Sequence, residues 1–417
     1  MAPLDAVVVG AGAAGLVAAR ELGGAGLAVR VVEARSRVGG RAWTDRQPFG
    51  VPIDRGCAWL HAADRSPWTD YARRHGFTVV ERSPDWQQWI GRERVTPELR
   101  RRLDADWDRA AEAIAAAARA GRDVPASTVL PADLQFRPLF DAVMSWSMGV
   151  DTADLSTADF AASEDVDVNW AVREGLGSVV ASVAEGLGVV LDCPVTAIDW
   201  SGSRVRLATA SGTLDCRAVI VTVPTTLLAR GEPRFVPPLP AAYGEAFAGL
   251  PLGIANKVFL ELAPGALPYE GVVNFVASAT TARTVSCTVR PAGHELLLCY
   301  FGGHHARDLE SQGALEAAAR EALSELFGAD WTRRIRRGTT TAWAGDPWAR
   351  GSYSAARPGS AHCRAVLAQP VAERVFFAGD ACTVDTFGEI RGAWASGVEA
   401  ARRVATLLAP APVRGGR

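Results

Sequence analysis

Residues 5–34 read DAVVVGAGAAGLVAARELGGAGLAVRVVEA. Ala6–Val9 is an apolar run of strand type, and Val17–Leu22 carries a helical pattern. Between them Gly10, Gly12 and Gly15 stand at the spacing GxGxxG. The first glycine permits a tight turn and the second lets the backbone approach a pyrophosphate. The third lets helix and strand pack closely, with the helix N-terminus at Ala13 and Ala14 pointing towards the phosphates. Alone, this spacing is a weak signal. Here a second strand, Ala28–Val32, follows and ends at Glu33, about twenty residues on, where a carboxylate can hold a ribose hydroxyl. The segment therefore reads as a dinucleotide site.

Working outward, Glu33 leads through Ala34 and Arg35 to Gly39-Gly40-Arg41, which offer further backbone N–H groups and a guanidinium for a diphosphate. Near the other end, residues 374–404 read RVFFAGDACTVDTFGEIRGAWASGVEAARRV. Val375–Ala378 is a buried strand by pattern and delivers Gly379-Asp380; Gly392–Val404 is a helix with small residues on one side.

The run E-A-x-x-x-x-G-G-R at 33–41 resembles the entry motif of the flavin amine oxidase superfamily. Further segments match in the expected order: DRGCAWLH (54–61), NWAVREGLGSVVASVAEGL (169–187) followed by LDCPVTAIDW (191–200), ANKVFLEL (255–262) and WAGDPWARGSYS (343–354). The resemblance covers nearly the whole chain. It implies an α/β fold of two lobes, a Rossmann-like GxGxxG domain for FAD interleaved with a mixed sheet-plus-helix substrate domain. Residues 1–65, 171–235 and 343–410 would form the first domain, 66–170 and 236–342 the second, and 411–417 a tail. Gly56, Cys57, Ala58, Trp59, Val195, Gly388 and Ile390 join the expected cofactor contacts. Asp380 would bind the ribityl chain, and the helix after Gly388 would face the flavin N1–C2=O edge. FAD would be non-covalent, because monoamine oxidases attach it through the cysteine of a G-C-Y segment and this chain has Gly351-Ser352-Tyr353.

The same resemblance gives Lys257 a role. It is the only lysine among 44 Lys+Arg. In the family this lysine holds a water against flavin N5, a task for a compact amine and not for a planar guanidinium. Trp343 would lie beside the isoalloxazine and Tyr353 would form one wall of an aromatic cage. Monoamine and many polyamine oxidases have tyrosine at the opposite wall, where this chain has Glu389. That carboxylate either meets a second ammonium on the substrate or is turned aside onto Arg391. His61 either contacts substrate nitrogen or makes a structural hydrogen bond.

Bulk properties narrow the classes. The net charge of −2 leaves no footprint for nucleic acid or for an anionic membrane. No apolar stretch reaches the roughly 18 residues of a membrane span, and no basic n-region precedes the first strand. The seven cysteines are odd in number, scattered and free of CxxC pairs, which points to reduced thiols in the cytoplasm and to no metal site. His304-His305 reads as a loop, and the acidic run 164–167 as a solvated loop or, alternatively, a tunnel mouth for cations. Residues 94–165 read as a helical insertion over the flavin, and KVFLEL, TVSCTV and ELLLCYF as strands of a sheet in 236–342. The expected activity is amine oxidation to an imine, with oxygen reduced to hydrogen peroxide and a polyamine-like substrate. The alternatives are an L-amino-acid oxidase, disfavoured because Trp59 replaces that subgroup's arginine, and a biosynthetic desaturase or dehydrogenase.

Overall fold

The computed structural model describes residues 3–409 apart from 83, 84, 86, 87, 165 and 166; the tail 411–417 and the centre of the acidic run lie outside the described residues. The first strand, β1 (Leu4–Val9), is apolar on both faces and buried from Ala6 onward, as a strand between two parallel neighbours must be. It runs into helix α1 (Ala13–Gly24) and returns as β2 (Val29–Val32), with Val7 opposite Arg30 and Val9 opposite Val32.

The chain then leaves this sheet for the helical insertion. Helix α2 (Pro97–Arg119) opens on Thr96, whose hydroxyl accepts the Leu99 N–H at 3.2 Å, with Pro97 in the first turn where no donor is needed. Helices α3 (Arg137–Met148) and α4 (Thr157–Ala162) complete it. The chain returns through β3 (Val189–Val190), β4 (Val195–Asp199), β5 (Val205–Thr209), β6 (Gly212–Val221) and β7 (Arg234–Val236), giving the order β3-β2-β1-β6-β5-β4-β7. β6 lies parallel beside β1, with Val7 opposite Val219.

A second sheet follows. β8 (Ala255–Leu262), β9 (Val273–Val276), β10 (Ser286–Val289), β11 (Leu297–Gly302) and β12 (Ile335–Thr340) stand in the order β12-β8-β11-β10-β9, extended by Trp89–Ile90 and Glu93–Arg94. Finally helix α5 (Cys363–Leu367), strand β13 (Val375–Phe377) and helix α6 (Ile390–Leu408) rejoin the first sheet, β13 pairing parallel with β6. The helix begins at Ile390, two residues before the expected Gly392. Its small face seats on α1, where a Cβ on Gly397 would stand 2.5 Å from the Ala14 carbonyl oxygen.

The result is an α/β fold with a mostly parallel sheet in one lobe and, in the other, helices and a mixed sheet that is antiparallel except where Trp89–Ile90 runs parallel to β9. The expectation of a loop at His304-His305 is corrected: both lie in the helix Gly303–Ser311. The partners that seat His304 there, Asp151 at 3.2 Å and Asp154 at 3.0 Å, come from the insertion about 150 residues earlier. Among the described residues no helix is long and apolar enough to cross a membrane, and no cluster suits a metal ion. All seven cysteines are free.

Candidate active site

A cavity of about 1410 Å³ runs from the C-terminal end of β1 to the face of the second sheet. Single small-molecule pockets usually measure about 300–1,000 Å³, so this one has room for a dinucleotide and a further ligand. Its nucleotide end is the turn after β1. Nothing lies within 4 Å of where a Cβ on Gly12 would stand, so that backbone faces open space. A Cβ on Gly10, at φ +106°, would collide with Thr222 Oγ1. A Cβ on Gly15 would collide with the Gly10 carbonyl. Gly15 therefore sits behind the cavity wall and serves packing alone, whereas the other expected contacts, Ala13, Ala14, Glu33, Ala34, Arg35, Gly39, Gly40 and Arg41, line the cavity.

Glu33 is buried and its carboxylate accepts the N–H groups of Ala11 (2.7 Å) and Arg35 (2.9 Å). These fix its orientation and leave lone pairs free, since two oxygens offer about four sites. The Arg35 guanidinium is committed to Asp346 by paired contacts of 2.8 and 2.6 Å. Arg41 spans the middle: it reaches Asp380 at 2.6 Å and the Ser352 carbonyl at 2.8 Å. Burial alone would raise the Asp380 carboxyl, but Arg41 and the Ser354 N–H outweigh it and hold it below the usual range. The open turn, fixed carboxylate and cationic bridge fit a dinucleotide.

Farther in, Gly56, Cys57, Ala58 and Trp59 form a loop pressed against Arg41, where a Cβ on Gly56 would overlap the Arg41 carbonyl. Burial pushes the Cys57 thiol up to about 12, so it stays protonated and inert. Lys257, on β8, is buried and donates from Nζ to the carbonyls of Asp54 (2.8 Å) and Gly56 (2.6 Å). Burial lowers its pKa, opposed by the Asp54 carboxylate nearby. Trp343 backs the loop, its indole N–H on the Arg55 carbonyl at 3.1 Å.

The Tyr353 hydroxyl donates to the Trp146 carbonyl at the end of α3, one of the helix's orphan acceptors. It also lies 3.3 Å from the Tyr300 hydroxyl. Burial raises both phenols, Tyr300 to about 12, so both remain neutral. His61 Nδ1 is 2.5 Å from Asn169 Oδ1, and both residues line the cavity. Glu389 does two things at once: it lines the cavity, and Arg391 Nε donates to it at 3.2 Å. Arg391 also reaches Glu164 at 2.5 Å, and Glu164 pairs outward with Arg65. Val195, Gly379, Gly388 and Ile390 also line the cavity.

The sequence placed the 94–165 insertion over the flavin without showing which of its side chains line the cavity. Phe136, at the N-cap of α3, and Leu139, Phe140 and Val143 on one face of the helix line the cavity, as do Asp104, Asp108 and Glu112 on one face of α2. Their helical spacing was visible, but spacing does not say whether a face meets a core or a cavity. Tyr300 was missed; only its place opposite Lys257 in the β8–β11 register brings it to the site.

The family profile described as flavin containing amine oxidoreductase matches residues 13–405. Human lysine-specific histone demethylase 2 is 28% identical over 453 residues, covering 96% of this chain and 53% of that protein. The chain thus spans about half the length of that relative. Polyamine oxidase 4 from Oryza sativa subsp. japonica is 28% identical over 432 residues, covering 96% and 88%. Among solved structures, wild-type putrescine oxidase bound to putrescine superposes with a TM-score of 0.81 at 22% identity, covering 97% of this chain and 99% of that one. Cyclohexylamine oxidase from Brevibacterium oxydans gives 0.80 at 22%, with the same coverage.

Proposed function

The chain belongs to the flavin-containing amine oxidoreductase family, and from that premise we propose that it is an FAD-dependent amine oxidase acting on a primary or secondary, polyamine-like amine. The cofactor lobe takes in residues 3–65, 171–235 and 343–409, together with the helix Pro67–Arg74. The sequence had placed that helix in the other lobe, but its Trp68, Tyr71 and Ala72 pack in the same core as α1 and α6. The rest of 66–170 and 236–342 makes the substrate lobe. The observation that carries this reading is continuity: one cavity joins the Gly12 turn to Lys257, Trp343, Tyr353 and Glu389.

In the reaction, the amine gives up two electrons and two protons. One hydrogen leaves the carbon next to nitrogen and one leaves the nitrogen, so the C–N single bond becomes the C=N bond of an imine. Dioxygen takes both electrons and both protons and leaves as hydrogen peroxide, while water hydrolyses the imine. FAD, when bound, supplies the two-electron acceptor, and the chain supplies orientation and electrostatics. The phenols of Tyr300 and Tyr353, neutral by burial, offer hydroxyls and ring faces to an uncharged amine. Lys257 has two of its N–H groups fixed on carbonyls, so its remaining position is aimed and can hold one water. Asp104 and Asp108 give the α2 wall a negative character suited to cationic substrates, beside Glu112 and Glu389, which are already paired with Arg119 and Arg391.

No cysteine stands at the position of covalent attachment, which supports non-covalent FAD, and the seven free thiols suit the cytoplasm. The test is peroxide release and anaerobic bleaching of the flavin band across amines, polyamines and amino acids. Bleaching with polyamines ahead of amino acids is the expected result; no bleaching with any amine overturns the reading. Acid precipitation should leave the yellow colour in the supernatant.

A further inference from the structure

The most deeply buried ion pair among the described residues is outside the cavity. Arg364, on α5, and Asp159, on α4, are 0% and 1% exposed, and they meet through paired contacts of 2.6 and 2.8 Å. The pair joins the helical insertion to the segment carrying Tyr353. Arg364 Nη1 donates to Ser354 Oγ at 3.0 Å, and its guanidinium lies 3.7 Å from the centre of the Phe387 ring. Asp159 Oδ2 also accepts the Ala356 N–H at 2.8 Å. Neither residue lines the cavity, yet Phe160, Tyr353, Ser354 and Phe387 all do. Three separate wall segments are thus tied from behind to one guanidinium.

A buried ion pair gives little net stability over a well-packed apolar replacement, because both charges lose their hydration. What a planar fork on a carboxylate does supply is a fixed relative orientation. We propose that Arg364 is a positioning residue: through Asp159, Ser354 and Phe387 it holds the wall segments at 160, 353–354 and 387 in one register and so sets the width of the amine-binding end. This rests on the amine oxidase reading above.

The experiment compares Arg364→Lys and Asp159→Asn with the parent, all loaded with FAD and assayed per bound flavin. Lysine keeps the charge but cannot make the fork. The expected result is a KM for a slender primary amine raised by about tenfold with kcat changed by less than about threefold, and a narrower gap in kcat/KM between slender and bulky amines. A lowered Tm with KM and discrimination unchanged would make the pair merely structural and overturn the proposal. Should Arg364→Lys fail to fold, Ser354→Ala removes only one of the ties and should raise KM by about threefold; an unchanged KM there overturns it equally. If the parent itself oxidises no amine, the functional reading fails separately. Amide exchange over 353–356 and 387–390 in the variants then decides, faster exchange supporting the tie and unchanged exchange overturning it.

Discussion

Lys257 ends between two carbonyl oxygens in a space shaped by Asp54, Gly56 and the β8–β11 register. A guanidinium is wider, flat and permanently charged, so arginine cannot occupy it in the same way. Lys257→Arg and Lys257→Met should therefore both keep FAD bound and slow flavin turnover by about a hundredfold, the usual loss when one aimed donor is removed. Stopped-flow spectra would show it; full activity in the arginine variant would make the lone lysine an accident of composition. Glu389 makes the contrasting case. Arg391 already partners it, so it is not a bare anion, yet it still faces the cavity. Glu389→Gln should raise the KM of a diamine by about tenfold, roughly 1.4 kcal/mol, and that of a monoamine hardly at all. Equal effects on both would leave Glu389 serving Arg391 alone. The sequence showed the departure from tyrosine but not its orientation. That depends on Arg391 being drawn to Glu164, 227 residues away in the chain.

At the level of elements, the turn between β1 and α1 separates folding from binding. Gly12 has open space at its missing Cβ, whereas Gly15 faces the Gly10 carbonyl. Gly12→Ala should then fold with a near-parental apoprotein Tm but lose flavin, its methyl entering the space the cofactor needs. Gly15→Ala should lower the Tm before any flavin is added, by several degrees if it costs the ~1–3 kcal/mol of an overpacked contact. Thermal scans with and without FAD distinguish the two, and equal behaviour contradicts the assignment. The βαβ unit was legible because glycine spacing and strand pattern are local. Which face of α3 lines the cavity was not legible, nor was the helix at His304, since what each face packs against is set by distant segments.

Across the whole molecule, the cofactor lobe is stitched from chain ends. Arg41 meets Asp380 and Arg35 meets Asp346, contacts spanning 339 and 311 residues. A ligand binding only the folded form stabilises it by about 2.7 kcal/mol at a hundredfold excess over its Kd, so FAD should raise the Tm in a concentration-dependent way. Acid should undo the stitch. The Asp380 carboxyl is depressed in the folded state, so its contribution is present above the unfolded value of about 4 and lost as pH falls through the lower folded value. Asp380→Asn should retain less flavin at pH 7 and show a flatter acid limb; an unchanged limb would remove Asp380 from the account. By itself the sequence determined the cradle, the order of the motifs and the chemistry of their side chains, because hydrophobic period and glycine spacing act over a few residues. The tertiary structure alone decided which faces of α2, α3 and the second sheet line the cavity. It also decided that Tyr300 stands by Tyr353, that Glu389 shares Arg391, and that Arg364 lies behind three walls. Each of those depends on contacts between residues far apart in the chain, which local pattern cannot encode.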